Sequence, residues 1–429
     1  MCRGKARGGL AGAAALGMLI AAAAQAAAGA AEAAPAAAYR MAPDAQQLNG
    51  SGNTADAPLL KPGAHTYKDS VAPGQRKYYA VRLDARSSAY VSAVAAPAPG
   101  SSMGARDGIS VSLEAQDGTQ CGVGRHRTFL SAGGAYPVAD YAERVTATGG
   151  ACKAAGTYRF VLERGDAAGG DTAAVPVELK YVSAPADPAS TGDPGGDRTA
   201  RTAPAPGGGG VGAQGGGVRG GSGFNDAAEI RPGVWTDELR PGETHFYRVP
   251  VGAGQQLAAN ARFGADRDAG SAPYVIAGMR MGLSNEARGY VMNRTGGYQG
   301  KPADLSLTTP AAAAGDGAGG DAARGMRLAG WYYLQVSLNP KVGQGKPSRV
   351  PVTLTVDVGK AREEARAPGG SMRPAGAVTG RHRDRRLRAV GYAGITTGSL
   401  LLLGLGGWTL AARRGQGVSP GADSEDSEE

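Results

Sequence analysis

The stretch LRPGETHFYRVPVGAGQQLAA, residues 239–259, decides the fold. A Pro-Gly turn leads into a run in which Tyr247, Val249 and Val251 alternate with other residues, and a Gly turn then opens the next run. Alternation with a period of two between turn residues is typical of half-buried antiparallel strands. The segment therefore predicts strands that place one face in a core.

The same pattern occurs earlier, in VAPGQRKYYAVRLDARSSAYVSA, residues 71–93. Five ordered blocks recur at a nearly constant offset: 61–63 with 231–233, 78–81 with 246–249, 109–113 with 279–283, 158–162 with 332–336, and 175–177 with 350–352. Self-similarity of this kind predicts tandem modules of one fold. Because no long helical periodicity lies outside the termini, we predict an all-β protein with two tandem, jelly-roll-like β-sandwich modules.

The composition agrees with thin sandwiches rather than one deep core. Of 429 residues, 72 are Gly and 26 are Pro, and alanine dominates the hydrophobic fraction of 42%. The net charge of +9 is small for this length and does not require wholesale disorder. A prior of about 150 residues per domain allows two or three units.

Both copies resemble one bacterial domain family. Residues 239–259 are similar to the start of a pre-peptidase C-terminal (PPC) domain, and residues 71–93 are similar but lack its Gly turn. GWYYLQVSL (330–338) and GTYRFVLER (156–164) resemble the late G-x-Y strand of that family. The resemblance, with an Arg-, Ala- and Gly-rich composition, implies an actinobacterial-type surface protein with two PPC-like modules.

PPC domains are small sandwiches attached to secreted enzymes, often proteases, where they help to bind polymeric substrates. The resemblance therefore implies a binding module, although no peptidase domain is recognisable in the sequence. Some relatives bind calcium, but the nearest acidic residues, Asp237-Glu238 and Asp266 with Asp268, are too sparse for six to eight oxygen ligands. Calcium binding by either module stays open.

The N-terminal residues have the pattern of a secretion signal. Three basic residues precede an uncharged apolar stretch at 10–24, which is short for a membrane span, and A-x-A motifs follow. We predict a signal peptide over 1–33, with cleavage between 26 and 38; an uncleaved membrane helix is the alternative. Residues 34–54 are predicted to be disordered.

A second apolar segment predicts a membrane anchor. Residues 389–412 carry no charge, and a helix of that length, at about 1.5 Å per residue, can cross a hydrocarbon core of about 30 Å. A Gly-rich buried helix is the alternative. Gly391, Gly394 and Gly398 would share one helix face, where small residues can pack two spans closely. The short acidic tail, 413–429, would follow the span in the cytoplasm.

The basic stalk before the span conflicts with this orientation, because positive charge usually stays inside. Long translocated domains escape that rule, so the signal peptide sets our predicted topology: a single-pass cell-membrane protein with extracellular modules. The stalk arginines would then face lipid phosphates or anionic wall polymers, or be merely solvated. The predicted order is signal peptide (1–33), disordered segment (34–54), module 1 (55–184), Gly/Pro-rich linker (185–223), module 2 (224–358), stalk (359–388), transmembrane helix (389–412) and tail (413–429).

Cys121 and Cys152 are the only cysteines after the signal peptide. An exported protein meets oxidising conditions, so we predict a disulfide between them, with two free thiols or a metal pair as alternatives. Closing this loop would stabilise module 1 by about 3–4 kcal/mol in the chain-entropy model. The glycine-rich segment between the cysteines is interpreted as a flexible insertion between strands, which the bond would restrain.

No motif indicates catalysis or a cofactor. A G-x-G-x-x-G match at 210–215 follows no strand and opens no helix. No two of the four histidines have metal-ligand spacing, and His245 is expected at the surface. The only basic cluster is the stalk, which lies outside the cell in this topology. We therefore expect no enzyme activity, no cofactor, no metal and no nucleic-acid partner.

Binding is the function class that remains. Tyr78, Phe246, Trp331 and Tyr333 lie on the strand face opposite the predicted core, so they are candidate contacts with a cell-wall polymer or a protein partner. Packing against a second sheet or a loop is the alternative. Two further functions stay open: an accessory subunit of a membrane or secretion complex and, remotely, an extracellular hydrolase. The sequence does not determine the ligand or the oligomeric state.

The predicted topology can be tested with protease added to intact cells. We expect both modules to be degraded, while an epitope added after Glu429 stays protected until the cells are lysed. Lysed cells treated in parallel show that the epitope itself can be cleaved. A middle region that is shielded in intact cells would contradict the topology.

Overall fold

The computed structural model of the protein describes residues 38–129, 136–146, 152–185, 215–266, 273–313, 320–345 and 348–360. Module 1 contains β1 (Gln46–Gln47), β2 (Leu59–Leu60), β3 (Tyr67–Val71), β4 (Arg76–Leu83), β5 (Ser87–Ala95), β6 (Gly108–Glu114), β7 (Arg125–Thr128), β8 (Val138–Arg144), β9 (Gly156–Arg164) and β10 (Val175–Pro185). Module 2 contains β11 (Gly216–Gly217), β12 (Ala228–Glu229), β13 (Gly233–Leu239), β14 (Thr244–Val251), β15 (Gln255–Phe263), β16 (Val275–Ser284), β17 (Tyr290–Tyr298), β18 (Ala303–Thr308), the helix α1 (Asp321–Gly325), β19 (Gly330–Leu338), a 3₁₀ turn (Val342–Gly345) and β20 (Val350–Lys360).

Each module is a sandwich of two five-stranded sheets. We call the sheet of each module that faces the other module the inner sheet. In module 1 the inner sheet has the order β1-β3-β10-β5-β8 and the outer sheet has the order β2-β4-β9-β6-β7. In module 2 the inner sheet is β12-β14-β19-β16-β17 and the outer sheet β11-β13-β20-β15-β18. Strand β1 of module 1 is equivalent to β11 of module 2, β2 to β12, and so on to β10 and β20. The inner sheet of module 1 is therefore equivalent to the outer sheet of module 2. The predicted β-sandwich fold and duplication are therefore confirmed.

Alternate residues fill the core between the two sheets of each module. In β4, Tyr79, Val81 and Leu83 are buried, as the period of two predicts. The two Pro-Gly turns that precede β4 and β14 place Gly74 and Gly242 at φ 68° and 87°. Glycine reaches these positive angles without strain, which explains why the repeat has it at both turns.

The inner sheets of the two modules pack against each other, so the modules form one compact unit. β5 and β19 are buried on both faces along nearly their whole length. A strand with one face in water would instead alternate between buried and exposed residues. An apolar cluster crosses the contact, with Val94 and Ala139 from module 1 and Phe224, Ala227, Phe246, Trp331 and Tyr333 from module 2.

Two segments predicted to lack structure belong to the modules. The segment 34–54, described from residue 38, provides β1 and pairs Ser51 with Tyr78 of β4. The linker predicted over 185–223 begins at the end of β10 and contains β11, so module 2 starts before residue 224. Two-residue strands are too short to show a period. At Gly215, an added Cβ would lie 2.0 Å from the carbonyl oxygen of Val234, so glycine permits this close approach.

The predicted disulfide joins Cys121 and Cys152, with their Cα atoms 5.6 Å apart. The part of the intervening segment that the structure describes is not the flexible insertion that we predicted. It contains β7 and β8, and β8 pairs with β5 over seven residues, from Val138 to Arg144. Short strands separated by glycines hid this pattern. The disulfide therefore secures an edge strand of each sheet of module 1.

The described residues contain no helix that is long and apolar enough to cross a membrane. The signal peptide (1–33), most of the linker, the stalk from residue 361, the span (389–412) with Gly391, Gly394 and Gly398, and the tail (413–429) lie outside the described residues. These assignments stay predictions.

Candidate binding surface

Three of the four aromatic residues predicted as ligand contacts lie between the modules. Phe246, Trp331 and Tyr333 are 0%, 7% and 9% exposed. The ring of Phe224 lies 5.1 Å from that of Phe246 and 5.0 Å from that of Tyr333. Their predicted surface position is wrong, because the inner sheet of module 1 covers this face of module 2. They serve as packing residues.

Glu178 of β10 joins the N-terminal segment to both modules. Its carboxylate is fully buried and forms an ion pair with Nη1 of Arg288 at 3.0 Å. It also accepts hydrogen bonds from the Tyr39 hydroxyl at 2.6 Å and from Nδ2 of Asn225 at 3.0 Å. Burial raises the pKa of Glu178, but Arg288 and the hydrogen bonds outweigh burial and leave the pKa below its usual value. The charged carboxylate thus holds groups from three segments together.

A second buried carboxylate, Asp140 of β8, fixes the other side of this contact. It accepts a hydrogen bond from Nε of Arg127 at 2.7 Å and pairs with Nη2 of Arg324 in α1 at 3.0 Å. Nη2 of Arg127 also lies 2.7 Å from Oδ2 of Asp321 in α1. The central carbon of its guanidinium lies 3.8 Å from the centre of the Tyr290 ring. These buried charges are paired, as burial away from water requires. They position α1 and β17 against β7.

Module 1 contains a buried polar cluster around Asp69 of β3. The carboxylate accepts hydrogen bonds from Nζ of Lys77 at 2.7 Å, from the Tyr79 hydroxyl at 2.8 Å and from the Gly50 amide at 2.7 Å. An added Cβ at Gly50 would lie 2.5 Å from the Tyr79 ring, so only glycine brings the amide this close. The cluster ties the N-terminal segment to both sheets.

Module 2 repeats this cluster around Asp237 of β13. The carboxylate bonds to Nδ1 of His245 at 2.6 Å, the Tyr247 hydroxyl at 2.6 Å and the Gly220 amide at 2.9 Å. His245, which we expected at the surface, is only 3% exposed. The repeat gave no signal of this burial, because the equivalent residue, Lys77, is of a type normally found at the surface. Among the described residues, no group of three His, Cys, Asp or Glu side chains is placed to hold a metal ion.

The outer sheet of module 1 corresponds to the buried inner sheet of module 2, but its outer face is open. Arg76 of β4, Glu163 of β9, Ser110 of β6 and His126 of β7 lie opposite one another in register and form one row across the sheet. Nη2 of Arg76 lies 2.7 Å from Oε2 of Glu163, and Oγ of Ser110 lies 2.9 Å from Nδ1 of His126. With Ser112, Glu114, Gln120, Gly124 and Arg125, these residues line an open polar groove, which we call the outer groove.

The sequences of the two equivalent faces match their exposure. The equivalent pairs are Phe246 with Tyr78, Trp331 with Thr157, and Tyr333 with Arg159. The covered face has three large aromatic residues, whereas the open face has one aromatic and two polar residues. Tyr78, the fourth predicted contact, is partly exposed and lies beside Arg76, which lines the outer groove. Of the four aromatic residues, it alone retains a surface position.

β7 separates the outer groove from a crevice between the modules. The crevice is lined by His126, Arg127, Thr128, Val138 and Ala139 of module 1 and by Arg280, Tyr290 and Asn293 of module 2. His126 borders both depressions. The outer groove and the crevice therefore adjoin at His126.

No protein-family model matches the sequence, and comparison with curated proteins gives no match. Among solved structures, similarity is found to PliG of Aeromonas hydrophila, a periplasmic inhibitor of g-type lysozyme (12% identity, 31% of this chain, 96% of that chain, TM-score 0.19). It is also found to the PPC domain of a Bacillus anthracis collagenase (14% identity, 30% of this chain, 93% of that chain, TM-score 0.18). A third is the tandem CBM22 unit of Paenibacillus barcinonensis Xyn10C (10% identity, 68% of this chain, 85% of that chain, TM-score 0.19). TM-scores this low do not establish a shared fold, so the resemblance to PPC domains stays a prediction.

We expect Glu178→Gln to lower the free energy of unfolding by about 3–5 kcal/mol, because it leaves the guanidinium of Arg288 buried without a counter-charge. Urea unfolding of the purified full-length protein measures this change. Asp304→Asn is the matched control, since it breaks the exposed Arg262–Asp304 pair and should cost at most about 1 kcal/mol. Equal losses in the two variants would show that Glu178 does not hold the modules together.

We expect module 2 to lose stability in alkaline solution through His245. Burial lowers the pKa of His245, but Asp237 and Glu243 outweigh burial and raise it to about 9 from 6.5. The stabilisation is complete below pH 6.5 and is lost as pH rises through about 9, with a size of about 3 kcal/mol. Melting temperatures from pH 6 to 9.5 report the loss.

His245→Lys is the control for this pH dependence, because it copies Lys77 of module 1 and keeps its charge to about pH 10. The variant should show a flatter pH profile than the original protein. Parallel profiles for the two proteins would mean that ionisation of His245 does not contribute to stability.

Proposed function

We propose that the chain is a non-catalytic, single-span cell-surface protein whose outer groove binds an extended extracellular polymer. The observation that carries the proposal is that the same sheet face is covered in one module and open in the other. In module 2 that face is aromatic and covered by module 1, while in module 1 it is polar and open. Because the protein itself covers the first face, the second is the one of these two equivalent faces that is open to a partner.

The outer groove has the chemistry to bind a hydroxyl-rich chain. Its central row offers a guanidinium, a carboxylate, a hydroxyl and an imidazole in sequence, from Arg76 to His126. Such groups donate and accept hydrogen bonds with hydroxyls, and the neighbouring Tyr78 provides an aromatic surface. All lie on paired strands, which hold them in place better than loops would.

Features of the sequence support a location outside the membrane. The predicted signal peptide would export the modules, and the predicted span at 389–412 would retain them at the surface. The Cys121–Cys152 disulfide agrees with this assignment, because such bonds persist in oxidising compartments. An anchored pair of sandwiches with an open groove is suited to contact with the cell wall.

The test is a pull-down of purified full-length protein with isolated cell-wall polymer. The double variant Ser110→Ala with His126→Ala should bind about 10–30-fold more weakly, since it removes two hydrogen-bonding groups from the centre of the row. The matched control is Asn260→Ala, which removes an exposed polar side chain that bonds to Ser306 on the outer sheet of module 2.

Polymer binding that is equal in the original protein and the double variant would overturn the assignment of the outer groove. Capture of a single envelope protein without polymer, lost in the same double variant, would show that the groove binds a protein. The chain would then be an accessory subunit.

A further inference from the structure

A buried positive charge in the crevice between the modules has no acidic partner in the described part of the chain. Arg280 of β16 is 6% exposed. Its one hydrogen bond within the described residues is long, from Nη1 to the carbonyl oxygen of Pro137 at 3.4 Å. Its buried Nε donates to no acceptor among the residues described. Burial lowers the pKa of Arg280, as expected for a cation removed from water.

The other buried arginines show how unusual this is within the protein. Arg164 forms two bonds to Asp107, at 3.0 and 2.7 Å, and its side chain is fully buried. Arg288 and Arg324 each pair with a buried carboxylate. Arg144 lacks a described acid, and its buried Nε and Nη1 have no described acceptor, but its Nη2 donates to two carbonyl oxygens at 2.6 and 2.8 Å. Burying a guanidinium that lacks hydrogen-bond acceptors costs free energy. We therefore expect Arg280 to bind a group that can accept its hydrogen bonds.

The side chains that line the crevice among the described residues include no acid that could pair with Arg280. Arg127, also in the crevice, is already paired with Asp140 and Asp321. Oδ1 of Asn293 accepts a hydrogen bond from the Tyr290 hydroxyl at 3.1 Å, which leaves the amide group of Asn293 free to donate.

We propose that this crevice binds an oxyanion, a carboxylate or phosphate group, through the guanidinium of Arg280, with the Thr128 hydroxyl and the Asn293 amide as flanking donors. A guanidinium presents a planar fork of N–H groups that matches two oxygens of either group. Because the crevice is walled by both modules, the oxyanion would bridge β7 to β16 and β17.

The site extends the proposed function without depending on it. His126 borders both the outer groove and the crevice, so an acidic substituent on a polymer in the groove would lie next to Arg280. A small oxyanion can occupy the crevice with the groove empty. Failure of one proposal therefore leaves the other standing.

The test measures the melting temperature of the full-length protein with inorganic phosphate and, separately, with acetate, at constant ionic strength. At tenfold excess over the dissociation constant, a bound oxyanion should raise the melting temperature by about 2–4 °C. The control Arg262→Gln, on the outer sheet of module 2, should show the same rise. Arg280→Met, which keeps the length of the side chain but not its charge, should show none.

The two ions distinguish the source of the oxyanion. A rise with phosphate alone indicates a phosphate group, a rise with acetate alone indicates a carboxylate, and either supports the site. Arg280→Lys, which keeps the charge and loses the fork, covers the case in which Arg280→Met fails to fold, and should show a reduced rise. No rise in the original protein, or an equal rise in the Arg280 variants, would overturn the proposal.

Discussion

Burial of the Glu178 carboxylate is the constraint on which the arrangement of the protein depends. A carboxylate without water must be paired and hydrogen-bonded, and the groups that satisfy Glu178 come from distant segments: Tyr39 before β1, Asn225 before β12 and Arg288 after β16. Its bonds are complete only when the modules are docked and the N-terminal segment is in place. That docking then decides which sheet faces remain open to solvent.

The duplicated modules kept what the sandwich needs and changed what lies outside it. The buried aspartate-tyrosine pair is present in both, with Asp69 and Tyr79 in one and Asp237 and Tyr247 in the other. The outward position of the same sheet differs: Ser110 in β6 lies in an open groove, and its equivalent, Arg280 in β16, lies at the contact between modules. Core chemistry was conserved between the repeats, while surface chemistry followed the environment.

The repeat and the period of two were sufficient to predict the strands of the five repeated blocks, their inward faces and the duplication, because burial on one face produces alternation directly. They did not reveal β7, β8 or the two-residue strands. The docking of the modules was not predictable in this way. Trp331 and Tyr333 on an outward face look the same whether a ligand or another module covers them. Comparison with the equivalent Thr157 and Arg159 was the available clue, since an aromatic face in only one repeat indicates a contact that only one repeat makes.

The position of the candidate sites links binding to docking. A ligand that touches His126 of module 1 and Arg280 of module 2 binds only when β7 and β16 are held side by side. It therefore favours the docked arrangement over a separated one, and by linkage the docked arrangement strengthens binding by the same factor. The interface formed by Glu178, Asp140 and the buried aromatic residues therefore also forms the crevice, because it holds the residues of both modules that line it in place.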